Sequence, residues 1–296
     1  MNSLTHWIKA SRLQSQSYIF FPLLLGQVLS VAHGYRWNWW IFALVHVYGL
    51  CMQVYIVYAN DYADIETDKL NTTYTIFSGG SRVIVEGMLS ARETGVGALV
   101  MALLTALSGV AGGVFFGRVL MVPLAIVSLL LLWMYSYRPI QLSYRGGGEF
   151  LQMIGVGFVL PLMGYYGQSG QIATFPWLLL AALLPANLAC GMATSLPDEP
   201  SDRMSNKRTS SVILGPKRNA IFIVVLNTVS VVVLVFLAFR ISVLPFSWVL
   251  LVPLIPVVAQ VVNGAGAPGT IERTIFVALS VICTLAISVV IILAVS

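Results

Sequence analysis

Apolar residues in this chain come in long unbroken runs, at 16–33, 39–58, 95–115, 119–135, 150–166, 175–196, 220–239, 244–262 and 275–295. Continuous runs of this kind predict helices, whereas membrane-barrel strands alternate apolar and polar positions over about ten residues. A helix crosses the hydrocarbon core with about 20 apolar residues, within a range of about 17–25. The pattern therefore predicts nine transmembrane helices, of which 119–135 and 150–166 stand near the short limit. Before the first run lies the polar, amphipathic stretch MNSLTHWIKASRLQSQS. No small-residue cleavage site follows that run, so no removable leader is expected.

Composition strengthens the membrane reading. Of the 296 residues, 58% are hydrophobic and 9% charged, against about 25% charged in an ordinary soluble domain. The expected fold is an all-α membrane protein, one domain over 1–296, with its helices bundled around a central cavity. The net charge of +5 would suit a nucleic acid, but the basic residues sit in short loops between the apolar runs, as topology signals do. Nucleic-acid binding is set aside on that ground. With a cytoplasmic N-terminus, thirteen of the sixteen lysines and arginines face the cytoplasm and only Arg36, Arg118 and Arg240 lie opposite. The C-terminus is then expected on the opposite side. Gly109, Gly113 and Gly117 recur every four residues, a spacing that lets a neighbouring helix approach. Cys51, Cys190 and Cys283 are scattered through apolar segments and read as small buried residues.

The candidate chemistry is concentrated in two places. All five aspartates of the chain fall in the stretches after the second and sixth runs, Asn60-Asp61-Tyr62-Ala63-Asp64-Ile65-Glu66-Thr67-Asp68-Lys69 and Pro197-Asp198-Glu199-Pro200-Ser201-Asp202-Arg203. Both are expected as cytoplasmic loops capping the cavity. Offsets of three and seven put Asp61, Asp64 and Asp68 within an arc of about 60° on a helical extension, and an offset of four pairs Asp198 with Asp202. Carboxylates so placed repel unless a cation joins them. Magnesium is usually held by one or two carboxylates plus substrate phosphates. The two clusters thus predict a magnesium–diphosphate site, with Asp64, Asp68, Asp198 and Asp202 as catalytic residues and Asp61 as a further metal ligand.

Basic and aromatic residues on the same face complete the candidate set. Asn60, Lys69, Arg82, Arg138, Arg145 and Lys207 are candidates for the diphosphate, since guanidinium and ammonium groups suit phosphate oxygens. Tyr144-Arg145-Gly146-Gly147-Gly148-Glu149 lacks the Gly-Lys-Ser/Thr ending of a nucleotide phosphate loop. It is expected instead as a flexible turn over the site, with Tyr135, Tyr144 and Glu149 on the cation-stabilising or acceptor side. Pro200 inside the second motif is expected to bend its helix.

In order and topology these motifs resemble the UbiA superfamily of intramembrane prenyltransferases. Ser78-Gly79-Gly80-Ser81-Arg82, Tyr135-Ser136, Tyr144-Arg145-x-Gly147-Gly148-Glu149 and Asp202-Arg203-x-x-x-Lys207-x-Thr209 resemble its 1,4-dihydroxy-2-naphthoate polyprenyltransferase branch. Thr194-Ser195-Leu196-Pro197 stands where the family commonly has Asn-x-x-Arg. The resemblance implies a magnesium-dependent enzyme that takes a polyprenyl diphosphate and a lipophilic, aromatic acceptor, with the isoprenoid tail led into membrane lipid. It also implies Asn60, Asp61, Asp64, Asp68, Asp198 and Asp202 as the metal and diphosphate holders. Two other readings stand beside it: a terpene cyclase or elongase using the same metal site, and a transporter of anionic or metal substrates. Transporter sites lie at mid-membrane, and no run carries an aspartate or glutamate there.

Overall fold

The computed structural model describes residues 3–296 and, among these, contains helices and no strand. In chain order the helices are α1 (Ser3–Ala10), α2 (Ser17–Ala32), α3 (Trp39–Ala63), α4 (Ile65–Leu70), α5 (Ala91–Phe116), α6 (Met121–Ser136), α7 (Gly148–Ile154) and α8 (Leu160–Ser169). They continue as α9 (Leu180–Thr194), α10 (Glu199–Met204), α11 (Ser210–Leu214), α12 (Pro216–Leu237), α13 (Leu254–Asn263) and α14 (Ile271–Val295). A π-helical stretch, Gly155–Val159, joins α7 to α8. Local sequence explains the ends. Ser90 caps α5 and exchanges bonds with Glu93 in a capping box, Asn38 accepts from the Trp40 and Ile41 amides, and Gly117 and Gly170 close helices at φ +66° and +71°. Gly117 is therefore a helix terminator and not the third member of a packing stripe.

Seven helical segments are long and apolar enough to cross a membrane: Leu13–Ala32, Trp39–Ala63, Ala91–Phe116, Gly148–Ser169, Trp177–Thr194, Pro216–Leu237 and Ile271–Val295. The chain is a multi-pass membrane protein. The expected runs 119–135 and 244–262 form shorter apolar helices, Met121–Ser136 and Trp248–Asn263. The first has 16 residues, about 24 Å at 1.5 Å per residue, less than the hydrocarbon core of about 30 Å. In the second, Pro253 and Pro256 restrict regular helix to Leu254–Asn263. Seven of the nine expected runs therefore form helices of full crossing length, and the other two form shorter apolar helices.

The bundle closes on itself. α2 lies along α8, α3 along α5 and α9 along α12, while α14 touches both α9 and α2, so the last helix meets the first one long enough to cross. The contact of α2 with α8 is made at backbone distance. A Cβ on Gly26 would overlap the Pro161 carbonyl oxygen, and one on Gly164 would overlap that of Leu23. Such reciprocal small-residue packing supplies van der Waals contact where lipid gives no hydrophobic drive. α5 is the outer helix, with Leu103, Leu107, Val114 and Phe115 exposed on its surface. All three cysteines are buried and free.

Candidate functional site

The aspartates fall at helix ends and in short helices, which corrects the expectation of loops. Asp61 lies in the last turn of α3, Asp64 ends that helix at φ −100°, and Asp68 lies in α4. The second cluster repeats the plan. Asp198 stands at the start of α10 and Asp202 within it, four residues on. Pro200 occupies the first turn of α10, where no amide hydrogen is needed, so it starts this helix and does not bend it.

α4 and α10 pack against each other, and hydrogen bonds tie the clusters together. Asn71 Nδ2 donates to Asp198 Oδ1 at 2.7 Å, the Gly79 amide to Asp198 Oδ2 at 3.1 Å, and Thr73 Oγ1 to the Pro197 carbonyl at 2.7 Å. Lys207 Nζ reaches from beyond α10 to Asp64 Oδ2 at 2.8 Å, and Tyr144 donates to Asp64 Oδ1 at 2.9 Å. Thr209 Oγ1 donates to Asp202 Oδ2 at 2.9 Å. The segment after α4 folds under the first cluster through Gly79 and Gly80, at φ +75° and +67°. A Cβ on Gly80 would stand 2.5 Å from Asp68 Oδ2 and 2.9 Å from Asp61 Oδ1, so glycine is required by both backbone angle and space.

A cavity of about 260 Å³ opens beneath these carboxylates. Gln53, Ile56, Val57, Asn60 and Asp64 line it from one face of α3. Leu131, Leu132 and Tyr135 contribute from α6, Glu149, Gln152 and Val156 from α7 and the π-helical stretch, and Asp198 and Asp202 from the far side. It is polar at the aspartate end and largely apolar elsewhere. Glu149 is 7% exposed and accepts from the Ser210 amide at 2.7 Å.

Charge is unbalanced here. Burial, reinforced by Asp64 and Asp61, pushes the Asp68 carboxyl up to about 8, and burial raises Asp202 to about 7 and Asp198 above its ordinary value. Burial would lower Lys207, but Asp64 and Asp202 more than offset this and hold it well above its usual range. Burial thus opposes charge on the carboxylates, and Lys207 is the ammonium hydrogen-bonded among them. Among the described residues no three of them converge as a closed metal cage. The donor set nonetheless fits a hard cation that keeps waters and shares phosphate ligands: oxygens only, open on the cavity side, and in excess of positive charge.

The other expected residues divide. Asn60, Asp64, Asp68, Tyr135, Glu149, Asp198, Asp202 and Lys207 line the cavity, and Tyr144 reaches it through Asp64. Asp61 is turned away: Ser81 donates to it through both its amide, at 3.1 Å, and its hydroxyl. Arg82 is not brought to the cavity either. Its Nη1 donates to the Asp68 and Asn71 carbonyls at 2.9 and 3.3 Å and so stitches backbone. Lys69 is exposed and paired with Glu66 at 2.8 Å, and Arg138 and Arg145 point to solvent. Their sequence neighbourhood placed them near the site, but Lys69 lies on the outer face of α4 and Arg138 and Arg145 stand exposed in turns. Lys69→Ala and Arg145→Ala are accordingly expected to hold turnover within about twofold of wild type, measured as product formed at saturating donor.

Sequence reasoning missed Arg12, Gln53 and Asn71, and it named Ser81 and Thr209 within motifs without giving them a role. The Ser78-Gly79-Gly80-Ser81 run was the available signal for the turn that carries Ser81, since adjacent glycines mark a backbone that L-residues avoid. Asn71 and Arg12 carried none.

With this geometry in view, comparison with known proteins is informative. The model of the UbiA prenyltransferase family matches residues 19–280. Over 231 residues the chain is 26% identical to a 1,4-dihydroxy-2-naphthoate octaprenyltransferase of Mycobacterium tuberculosis, covering 74% of this chain and 73% of that protein. Over 173 residues it is 29% identical to a digeranylgeranylglyceryl phosphate synthase of Korarchaeum cryptofilum, 58% of this chain and 56% of that protein; the match spans little more than half the length of that relative. The fold is similar to a UbiA homologue from Archaeoglobus fulgidus bound to DMAPP and Mg2+, with a TM-score of 0.69, 13% identity and 98% of both chains covered. It is also similar to a UbiA homologue from Aeropyrum pernix, with a TM-score of 0.65, 17% identity and 92% and 97% covered.

Proposed function

The chain belongs to the UbiA prenyltransferase family, and on that footing we propose that it transfers a prenyl group from a polyprenyl diphosphate to a lipophilic, aromatic acceptor inside the membrane. One observation carries the reading. Two aspartate-bearing short helices, far apart in sequence, are joined by Asn71–Asp198 and Lys207–Asp64 over a largely apolar cavity. A charged group at the mouth and a hydrocarbon tail within are the two ends of an isoprenoid diphosphate.

Asp64, Asp68, Asp198 and Asp202 would hold magnesium. Bound there, the metal supplies Lewis-acid neutralisation of the charge growing on the departing diphosphate. Lys207 adds positive charge at the same mouth, and Asn60 and Thr209 offer hydrogen bonds to phosphate oxygens. As the allylic C–O bond breaks, its electron pair leaves with the diphosphate. The Tyr135 ring, in the cavity wall, would stabilise the carbon that becomes cationic, and the apolar wall would keep water from capturing it. A ring carbon of the acceptor then forms the new C–C bond, and Glu149, on the acceptor side, takes the displaced proton. Each CH₂ of the tail buried in lipid contributes about 0.8 kcal/mol, which favours a membrane site. The lysine and arginine bias supports a cytoplasmic N-terminus and cytoplasmic aspartate clusters, and on this reading α6 and Trp248–Asn263 complete nine crossings, with the C-terminus opposite.

A prenylated glyceryl phosphate as the acceptor is a second reading, favoured by likeness to the Korarchaeum relative. The test is mass-spectrometric analysis of products from purified protein, geranylgeranyl diphosphate and magnesium, with 1,4-dihydroxy-2-naphthoate, geranylgeranylglyceryl phosphate or neither. Prenylated naphthoquinone is the expected product. Chelation of magnesium should lower the rate at least about 100-fold, and added magnesium should restore it. A terpene hydrocarbon formed without acceptor would move the protein to the cyclases.

A further inference from the structure

We propose that a groove on the outer wall of the bundle, between α1, α3 and α5, binds a glycerophospholipid, with one acyl chain in the groove and the phosphate on Arg92.

The groove has a volume of about 550 Å³ and shares no lining residue with the cavity beneath the aspartates. Its size falls within the range of about 300–1,000 Å³ usual for ligand sites. Trp7 of α1, Tyr58 of α3, and Val96, Val100 and Met101 of α5 form its walls. The Trp7 and Tyr58 rings meet with 5.3 Å between centroids. Gly97 admits them: a Cβ there would stand 2.9 Å from Trp7 Cζ3 and 3.1 Å from Tyr58 Cδ2. The Tyr58 hydroxyl donates to the Trp7 carbonyl at 3.4 Å, and Lys9 pairs with Glu86 at 2.5 Å, so α1 is held against the bundle.

Position identifies what fills this groove. α5 is one of the seven crossing-length helices, and 22% of its apolar window is buried, the smallest share among them. Val96 and Val100 are 54% and 43% exposed. In a membrane those surfaces meet hydrocarbon. Tyr58 stands three residues before Asp61 near the end of α3, and Arg92 lies in the first turn of α5. The groove therefore runs up to the membrane edge that carries the aspartate clusters. A molecule lying in it has its chain among lipid tails and its polar end at headgroup level, where tryptophan rings also gather. α1 suits that level too, because Leu4 and Ile8, one turn apart, are both exposed on an otherwise polar helix.

Charge selects the polar end. Arg92 is exposed and makes no hydrogen bond or ion pair among the described residues. Glu93, the other charged residue of the groove, is turned back on Ser90, whose amide and hydroxyl donate to Glu93 Oε2 at 2.8 and 2.7 Å. Lys9 is taken by Glu86. Arg92 is thus the cation left for a ligand, and a guanidinium takes phosphate oxygens in two-point contact.

The test is lipid titration of the full chain in detergent micelles, read by native mass spectrometry, with dioleoylphosphatidylglycerol and dioleoylglycerol as probes. The phospholipid is expected to bind at least about tenfold more tightly than the diacylglycerol. Arg92→Gln should remove most of that difference and leave dioleoylglycerol within about twofold. Val100→Trp fills the groove from a lipid-facing position and should weaken both probes at least about fourfold, the loss of one buried methylene. Both variants should keep the wild-type thermal midpoint in lipid-free detergent. Equal binding of the two probes by wild type, unchanged phospholipid binding by Arg92→Gln, or unchanged binding of both probes by Val100→Trp would each overturn the proposal. A wild-type dimer that Val100→Trp dissolves would overturn it as well, by giving the groove to a second copy of the chain.

Discussion

Asp64→Ala is expected to reduce prenyl transfer by at least about 1000-fold, the loss typical of removing a principal electrostatic contact at a reacting centre. Two effects combine. Asp64 is a cavity-lining carboxylate that also accepts Lys207 at 2.8 Å and Tyr144 at 2.9 Å. Its removal takes away a metal-holding oxygen pair and leaves the buried Lys207 ammonium without its hydrogen-bonded partner, a situation that typically costs about 3–5 kcal/mol. The two contributions separate in a double variant. Asp64→Asn with Lys207→Met should regain most of the lost thermal stability, because no unpaired charge remains, while turnover stays at the level of the single variant. Measured melting and product formation that recover together would show Asp64 to be a structural partner of Lys207 and nothing more.

The second large effect is on folding. Gly164→Leu is expected to abolish the folded protein, seen as loss of a monodisperse peak in detergent and of a cooperative melt. The new side chain would have to displace the Leu23 carbonyl, which is backbone and cannot rotate away. α2 and α8 would then separate along their shared length, a cost well above the roughly 1–3 kcal/mol of ordinary overpacking. Gly113→Ala is the contrast. A Cβ there meets Val119 and Val122 at 3.7 Å, which is ordinary contact, so stability should move by less than about 0.5 kcal/mol. A melt of Gly164→Leu that matches wild type would refute the close α2–α8 packing.

Those two glycines also show what the sequence discloses. Gly109 and Gly113 stand four apart in one helix, so their small-residue pattern can be read along the chain, and Gly109 does meet Met121 and Ala125 of α6. Gly26 and Gly164 have no such pattern, because their partnership exists only between helices 138 positions apart. The long apolar helices were legible for the same reason that hydropathy is local. The α13 region was not, since Pro253 and Pro256 shorten the helix without lowering its hydrophobicity.

The site divides on the same principle. The aspartates of each cluster could be found from spacing, because helical phase within one segment brings them together, and Lys207 from its place just after the second cluster. Asn71 and Arg12 could not. Asn71 acts on Asp198 across 127 positions and Arg12 enters from an N-terminal turn. Lys69, exposed on α4, and Arg145, exposed in a turn, were misplaced because proximity in sequence says nothing about the direction of the side chain.

The joining of α4 to α10 reaches beyond catalysis. The helices that carry the carboxylates come from different parts of the bundle and are held by a few polar contacts, with excess negative charge pressing them apart. Whatever gathers those carboxylates also fastens the bundle, so ligand occupancy and resistance to unfolding become one thermodynamic quantity. A ligand at 100 times its dissociation constant adds about 2.7 kcal/mol to the folded state. The protein deprived of substrate is then the more fragile one, and its lifetime in the membrane would follow the supply of isoprenoid diphosphate.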